Sequence, residues 1–132
     1  MSDAGAPAWP GPVTAITLFV DDLAAAKRFY AEVFRVPVLV EDAQAVAFRL
    51  PNTILNLLVA TSAPELIEPE PVAPAAAGAR MQLTITVDDV DATARLVQER
   101  GAVLLNGPMD RPWGIRTAAF RDPSGHVWEI AS

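Results

Sequence analysis

The amino-acid sequence contains the same short pattern twice, and this repeat constrains the fold more than any other feature. The stretch VDDLAAAKR at Val20–Arg28 is matched by VDDVDATAR at Val87–Arg95. The same offset aligns identical residues on both sides of the aspartates, namely Thr17/Thr84, Val20/Val87, Asp21/Asp88, Asp22/Asp89, Ala25/Ala92, Arg28/Arg95 and Glu32/Glu99. Because the apolar period is preserved as well, the repeat indicates a duplicated structural unit. Equivalent positions of the two halves can then meet in one cavity.

Length and composition are typical of one ordinary domain. A chain of 132 residues buries roughly two-thirds of the surface that its unfolded form exposes. It contains no cysteine, which excludes disulfides, thiolate zinc sites and cysteine nucleophiles and favours a cytoplasmic location. The first twelve residues have neither the basic nor the apolar region typical of a secretory leader, and no later run reaches membrane-spanning length, so we expect a soluble protein. A net charge of −6 with scattered basic residues argues against nucleic acid, so we expect a small-molecule partner, mildly favoured to be neutral or cationic.

The first unit is predicted to be β-α-β-β-β, after a flexible lead-in over residues 1–12. Its first strand covers Val13–Val20, and either Asp21 or Asp22 caps a helix that ends before Pro37. Alternation and turn residues then predict three more strands, at Val38–Glu41, Val46–Leu50 and Thr53–Ala60.

The second unit repeats this order after a Pro- and Ala-rich segment, residues 62–79. That segment has the composition of a linker, although it could instead cover a pocket as a lid. Either Asp88 or Asp89 caps the second helix, Gly101 ends it, and the predicted strands are Arg80–Val87, Ala102–Leu105, Ile115–Arg121 and Val127–Ala131. We therefore predict one α+β domain with modules at 13–61 and 80–132, each a curved mixed sheet with helices on the outside.

Strand alternation separates a helix-facing side of each sheet from a second side. In the first strand Ile16, Leu18 and Val20 share the aliphatic face. The same test places four residues on the opposite faces: Ala15, Asn56, Gln82 and Glu129. Such a face could be wetted by solvent, as in many antiparallel sheets, or could form a pocket if the sheet curves around a ligand.

Together with this element order and the paired Val-Asp-Asp starts, two segments resemble the vicinal oxygen chelate superfamily. They are the loop DRPWGIR at Asp110–Arg116 and the ending FRDPSGHVWEI at Phe120–Ile130. The superfamily includes glyoxalases, extradiol dioxygenases, fosfomycin-modifying enzymes, methylmalonyl-CoA epimerases and metal-free bleomycin-resistance proteins, and the resemblance covers nearly the whole chain. It implies a homodimer in which sheets of two chains complete two clefts, with modules paired within a chain or swapped between chains.

The resemblance also implies where a metal would bind. In metal-dependent members the first and last strands of each unit supply the ligands, usually histidine, glutamate or glutamine. The matching positions here are Ala15, Asn56, Gln82 and Glu129. Alanine has no donor atom, the two amides are weak ligands, and a catalytic transition metal normally needs at least three good protein ligands. We therefore predict no metal cofactor.

Glu129 is the best candidate for a catalytic or ligand-binding group. A carboxylate among apolar neighbours must be hydrogen-bonded, paired or protonated. It is either held as structure by a partner such as Gln82 or Asn56, or it contacts the ligand, where it could hold a cation or act as a general base. The other predicted ligand-binding residues, besides Asn56 and Gln82, are Phe19, Trp113 and Arg116.

Each of these has an alternative interpretation. Trp113 lies in a Pro-Trp-Gly loop, where it could stack on a planar or cationic ligand or plug the end of the sheet. Phe19 would supply an apolar wall. Arg116 could bind an anionic ligand, although a lone arginine is more often solvated. The single histidine, His126, follows the DPSG turn and is interpreted as a hairpin residue rather than a catalytic one.

These patterns favour a metal-independent binding protein similar to bleomycin-resistance proteins, which sequesters an aromatic or cationic compound. The rival is a glyoxalase-like lyase, isomerase or dioxygenase with a degenerate or substrate-completed metal site. A third possibility is a domain that serves as a dimeric interaction module. Since one fold hosts many functions, the site has to decide between them.

Overall fold

The computed structural model describes residues 5–132, so the predicted lead-in lies partly outside the described residues. The strands are β1 (Ala15–Val20), β2 (Val38–Glu41), β3 (Ala45–Arg49), β4 (Ile54–Val59), β5 (Gln82–Thr86), β6 (Leu104–Asp110), β7 (Arg116–Arg121) and β8 (Val127–Ala131). The helices are α1 (Leu23–Val33), α2 (Pro64–Ile67) and α3 (Val90–Glu99). Within residues 5–132, none of these helices is both long and apolar enough to cross a membrane.

Each module forms a four-stranded mixed sheet, and the two sheets share one topology. The strand orders are β1-β4-β3-β2 and β5-β8-β7-β6. The first pair in each sheet is parallel, and the other neighbours are antiparallel. The sheets remain separate and do not close into one barrel. The predicted α+β class and the duplicated β-α-β-β-β order are confirmed.

The second aspartate of each repeated pair caps its helix. Asp22 Oδ1 accepts a hydrogen bond from the backbone N–H of Ala25 at 3.0 Å. Asp89 Oδ1 accepts the equivalent bond from Ala92, also at 3.0 Å. A side-chain oxygen at this position satisfies one of the free N–H groups of the first turn. The repeat therefore includes the helix starts as well as the strands.

Helix α1 joins the two modules in one core. The Tyr30 ring centroid lies 6.2 Å from that of Phe48 in the first sheet and 6.1 Å from that of Trp128 in the second. Phe34, one turn later, lies 4.9 Å from Trp128. Fully burying a large apolar side chain stabilises a fold by about 1.5–3 kcal/mol. The modules of one chain therefore pack against each other through α1.

A buried polar network crosses this core. Tyr30 Oη donates to Asp122 Oδ2 at 2.5 Å and accepts from Trp128 Nε1 at 2.9 Å. Asp122 Oδ1 also accepts the backbone N–H groups of Ser124 and His126, both at 2.9 Å. Burial, followed by the neighbouring carboxylate, raises the pKa of Tyr30 far above its ordinary value. The network fixes the β7–β8 turn against α1.

Two segments differ from the sequence-based expectation. The second strand of the second module was expected at Ala102–Leu105, but β6 continues to Asp110 with irregular register around Asn106 and Met109. The Pro- and Ala-rich segment 62–79 contains the short helix α2 and a 3-10 turn at Ala75–Ala77, neither of which shows periodicity in sequence. The extension of β6 depends on its pairing with β7, whereas α2 and the 3-10 turn bury no residue and are too short to show a helical period.

Candidate functional site

Each sheet has one face turned away from α1 and α3, which we call its open face. Strand register places four side chains in a row across the first open face, and four at the equivalent positions of the second. These rows are Thr17–Asn56–Ala47–Val40 and Thr84–Glu129–Ala119–Asn106. The duplication therefore places a threonine beside Asn56 in one sheet and a threonine beside Glu129 in the other.

The polar centre of each row is a hydrogen-bonded pair. Thr84 Oγ1 donates to Glu129 Oε1 at 3.0 Å, and Glu129 is half-buried. In the first sheet Asn56 Nδ2 donates to Thr17 Oγ1 at 3.5 Å. Within residues 5–132, the second carboxylate oxygen of Glu129 makes no hydrogen bond. One oxygen of the carboxylate is thus held by Thr84, while the other has no hydrogen-bond partner among the described residues.

The family's four metal positions do not assemble a metal site in this chain. Ala15 is exposed and has no donor atom, and the Gln82 side chain stands on the edge strand opposite Val127. No hydrogen bond within residues 5–132 links Asn56 to Gln82 or to Glu129. In that same range, no group of three or more His, Cys, Asp or Glu side chains could hold a metal ion. The residues present do not fit a catalytic divalent metal.

Arg116 is not brought together with Glu129. It lies on the helix-facing side of the second sheet, where Nε and Nη2 donate to the two carboxylate oxygens of Asp91 at 2.8 and 2.9 Å. Its Nη1 donates to Asp110 Oδ1 at 3.1 Å. The hydrogen bonds from Arg116 hold the pKa of Asp91 below its ordinary value, and those to Asp91 and Asp110 raise the pKa of Arg116. The predicted contact with an anionic ligand would require these ion pairs to open.

Trp113 lies in the loop after β6, with 68 % of its surface exposed. The guanidinium carbon of Arg111 lies 5.9 Å from its ring centroid, a cation–π distance. Arg111 in turn donates from Nε to Thr117 Oγ1 at 2.9 Å and from Nη2 to Asn106 Oδ1 at 3.2 Å. Arg111 was not among the residues predicted from the sequence, although it lies in the same DRPWGIR motif as Trp113.

Phe19 and His126 lie together at the end of β1. His126 Nε2 donates to the carbonyl oxygen of Phe19 at 2.8 Å. Nearby, Ser124 Oγ accepts the backbone N–H of Asp21 at 3.3 Å. These bonds tie the β7–β8 turn to the first module. Phe19 and His126 also line a cavity of about 200 Å³ whose other wall comes from residues 72–75 and 78–81.

Two further cavities measure about 670 and 220 Å³. Within residues 5–132, none of these three cavities is lined by Asn56, Gln82 or Glu129. The threonines bonded to Asn56 and Glu129 do line cavities, Thr17 the cavity of about 200 Å³ and Thr84 the cavity of about 220 Å³.

The model of the glyoxalase/bleomycin resistance protein/dioxygenase superfamily matches residues 13–130. The chain belongs to this superfamily. Its fold is the paired-module fold of the superfamily.

Three relatives show the range of the superfamily around this member. The uncharacterized protein YraH of Bacillus subtilis is 30% identical over 119 residues, covering 87% of this chain and 93% of YraH. A glyoxalase-related enzyme from Fulvimarina pelagi is 25% identical with a TM-score of 0.77, covering 91% of this chain and 86% of that one. TnmS3, an antibiotic binding protein from Streptomyces sp. CB03234, is 27% identical with a TM-score of 0.69, covering 94% and 97%.

Proposed function

We propose that this superfamily member is a small-molecule binding protein that needs no metal cofactor and sequesters an aromatic or cationic ligand, as bleomycin-resistance proteins do. The observation that carries the proposal is the composition of the four family metal positions. They hold an alanine, two amides and a single carboxylate, Glu129, which is hydrogen-bonded to Thr84. Such a set binds a polar or cationic organic group better than it binds a transition metal.

The surroundings of Glu129 support a ligand role. Its carboxylate is half-buried and receives one hydrogen bond from a neutral hydroxyl. A partly desolvated carboxylate with a free oxygen gains from a cation or a hydrogen-bond donor placed beside it. The exposed ring of Trp113 in the same module offers a face on which an aromatic ligand can stack.

A homodimer would enclose this ligand, and we propose that two copies bring open faces of different sheets opposite each other. Apolar side chains on the open faces support this arrangement, since Val40 is 66 % exposed and Met109 is 36 % exposed. Contiguous exposed apolar surface beside polar groups is typical of interaction sites. Light scattering after gel filtration should give twice the 14.1 kDa mass of one chain. Val40→Asp should shift this mass toward the monomer, and a monomeric wild-type protein would contradict the arrangement.

The similarity to TnmS3, an antibiotic binding protein, supports a binding role in this chain. The second candidate is an enzyme, a lyase, isomerase or dioxygenase whose metal shell is completed by its substrate. The similarity to the glyoxalase-related enzyme of Fulvimarina pelagi favours that candidate. For either role we propose a cytoplasmic location, since the chain contains no cysteine.

A thermal-shift screen of aromatic and cationic compounds on chelator-treated protein tests the proposal. A ligand should raise the melting temperature in the presence of EDTA and should be recovered unchanged. Glu129→Gln should weaken a cationic ligand by about tenfold, because it removes the charge and keeps the shape. The matched control is Thr84→Val, which removes the hydrogen bond and keeps the carboxylate. Binding that appears only with added metal, or conversion of the ligand, would favour the enzyme.

A further inference from the structure

Arg111 differs from Arg116 in what surrounds its charge. Arg116 is neutralised by Asp91 and Asp110. Within residues 5–132, Arg111 makes no ion pair, and its partners are the neutral side chains of Thr117 and Asn106. A guanidinium has five N–H donors, and these two bonds occupy only Nε and one hydrogen of Nη2. Arg111 therefore keeps its positive charge and most of its donors available on a fixed framework.

The partners of Arg111 place its guanidinium over the second open face. Thr117 is two residues from Ala119 on β7, and Ala119 pairs with Glu129, so Thr117 and Glu129 share that face. Asn106 pairs with Ala119 and so lies in the same row as Glu129. The guanidinium therefore lies on the same open face as the Glu129 carboxylate, bonded to Thr117 on β7 and Asn106 on β6.

The backbone under this framework is closely packed. Gly107 forms part of the irregular β6 segment with a φ of 81°. A Cβ added at Gly107 would lie 2.4 Å from the carbonyl oxygen of Thr117. This close approach keeps β6 against β7 and so holds Asn106 beside the guanidinium. Thr117 itself is fully buried.

We propose that Arg111 is an anion-binding subsite, and that the ligand of this open face is a planar aromatic compound bearing a carboxylate or a similar anionic group. The inference rests on the proposed binding function and selects an aromatic ligand over a cationic one. The anionic group would accept hydrogen bonds from Arg111, and the aromatic ring would stack on Trp113. The anion would point away from Glu129, since repulsion between the two falls with distance and is screened over about 8 Å at physiological salt.

Three compounds that share a phenyl ring and a vinyl group test the subsite: cinnamate with an anionic head group, cinnamamide with a neutral one and cinnamylamine with a cationic one. Isothermal titration calorimetry of the full-length protein should give the tightest binding for cinnamate. Arg111→Gln should weaken cinnamate by about tenfold and leave cinnamamide within about twofold, because the lost bonds are charge-assisted. Arg111→Lys should give an intermediate loss, since lysine keeps the charge without the planar fork. The matched control is Arg28→Gln, which removes one positive charge from the exposed surface of α1 and should not change binding.

Circular dichroism and melting temperature show whether each variant is folded. If Arg111→Gln does not fold, Arg111→Lys still tests the subsite. Cinnamate binding that is unchanged in both Arg111 variants would overturn the subsite. So would tighter binding of cinnamamide or cinnamylamine than of cinnamate, although these outcomes leave the proposed binding function in place. Failure of all three compounds to bind at millimolar concentration would contradict both the subsite and the aromatic ligand class.

Discussion

Tyr30 donates a hydrogen bond to Asp122 across 92 residues of sequence, from the first helix of one module to the last turn of the other. The same hydroxyl accepts the indole N–H of Trp128. A buried hydroxyl that is both donor and acceptor holds each partner in a fixed place. The modules of one chain are therefore joined by a specific polar network as well as by apolar packing.

Replacing Tyr30 by Phe should destabilise the protein by about 2–4 kcal/mol, because buried groups of Asp122 and Trp128 each lose a partner. The change would be measured as the free energy of unfolding in urea. Thr53→Val is the matched control, since it removes an exposed hydroxyl that donates to the Val13 carbonyl at 3.1 Å. The control should cost about 1 kcal/mol at most. If the two variants lost equal amounts of unfolding free energy, the buried network would not stabilise the fold more than an exposed hydrogen bond does.

Ionisation of the Tyr30 phenol should set the upper pH limit at which the fold is stable. Its pKa is raised in the folded state, chiefly by burial. The phenol therefore stabilises the fold fully below its ordinary pKa of 10.0, and this contribution is lost as the pH rises further. Tyr30 is the one tyrosine in the chain, so absorbance at the phenolate wavelength reports it alone. Ionisation should coincide with loss of circular dichroism, and reversible ionisation near pH 10 in folded protein would contradict the buried hydrogen bond.

The Asp91–Arg116 ion pair should make the stability of the fold depend on pH in the acid range. The pKa of Asp91 is lowered from 3.8 by the hydrogen bonds from Arg116. Its stabilising contribution is thus present above that pH and is lost as the pH falls through the lowered folded value. Asp91→Asn should lower the melting temperature near neutral pH and match the wild type in strong acid. Asp88→Asn, an exposed carboxylate of the same region, is the control. A difference that persists in strong acid would contradict the ion pair as its cause.

Alanine variants of Gly107 and Gly114 distinguish two ways in which replacing a glycine destabilises the fold, through backbone conformation and through steric collision. Both have positive φ, at 81° and 97°. An added Cβ at Gly107 would collide with Thr117 and Ala118, whereas one at Gly114 would meet nothing within 4 Å. Gly114→Ala should cost about 1–2 kcal/mol from backbone conformation alone, and Gly107→Ala should cost clearly more. Equal costs in urea unfolding would show that β6 can move away from β7.

Local pattern predicted much of the fold. The bounds of β2 and β8 match the prediction, and alternation placed Trp128 and Glu129 on opposite faces. The structure buries Trp128 to 2 % exposure and leaves Glu129 half-buried. These features follow from the two-residue period of a strand, which can be read from the local sequence.

The parts that sequence did not predict depend on distant partners. Gly107-Pro108 is typical of a loop, yet pairing with β7 keeps that stretch within β6. Helix α2 has four residues, which is too short to show a helical period. Arg111 and Arg116 lie five residues apart in one motif, and only the side chains around them distinguish the ion-paired arginine from the other. Contacts between side chains of separate elements cannot be read from the periodicity of the sequence.

The metal content of the purified protein tests most directly whether ligand binding at the Glu129 carboxylate is independent of a metal ion. Elemental analysis of protein purified without chelator should give far less than one metal ion per chain, and nickel, zinc, manganese or iron(II) should not raise the melting temperature. A variant with Ala15→His and Gln82→His supplies two imidazole donors at family metal positions and serves as the positive control. Stoichiometric metal in the wild-type protein, or a large and specific rise in its melting temperature, would contradict metal-independent binding and favour the enzyme.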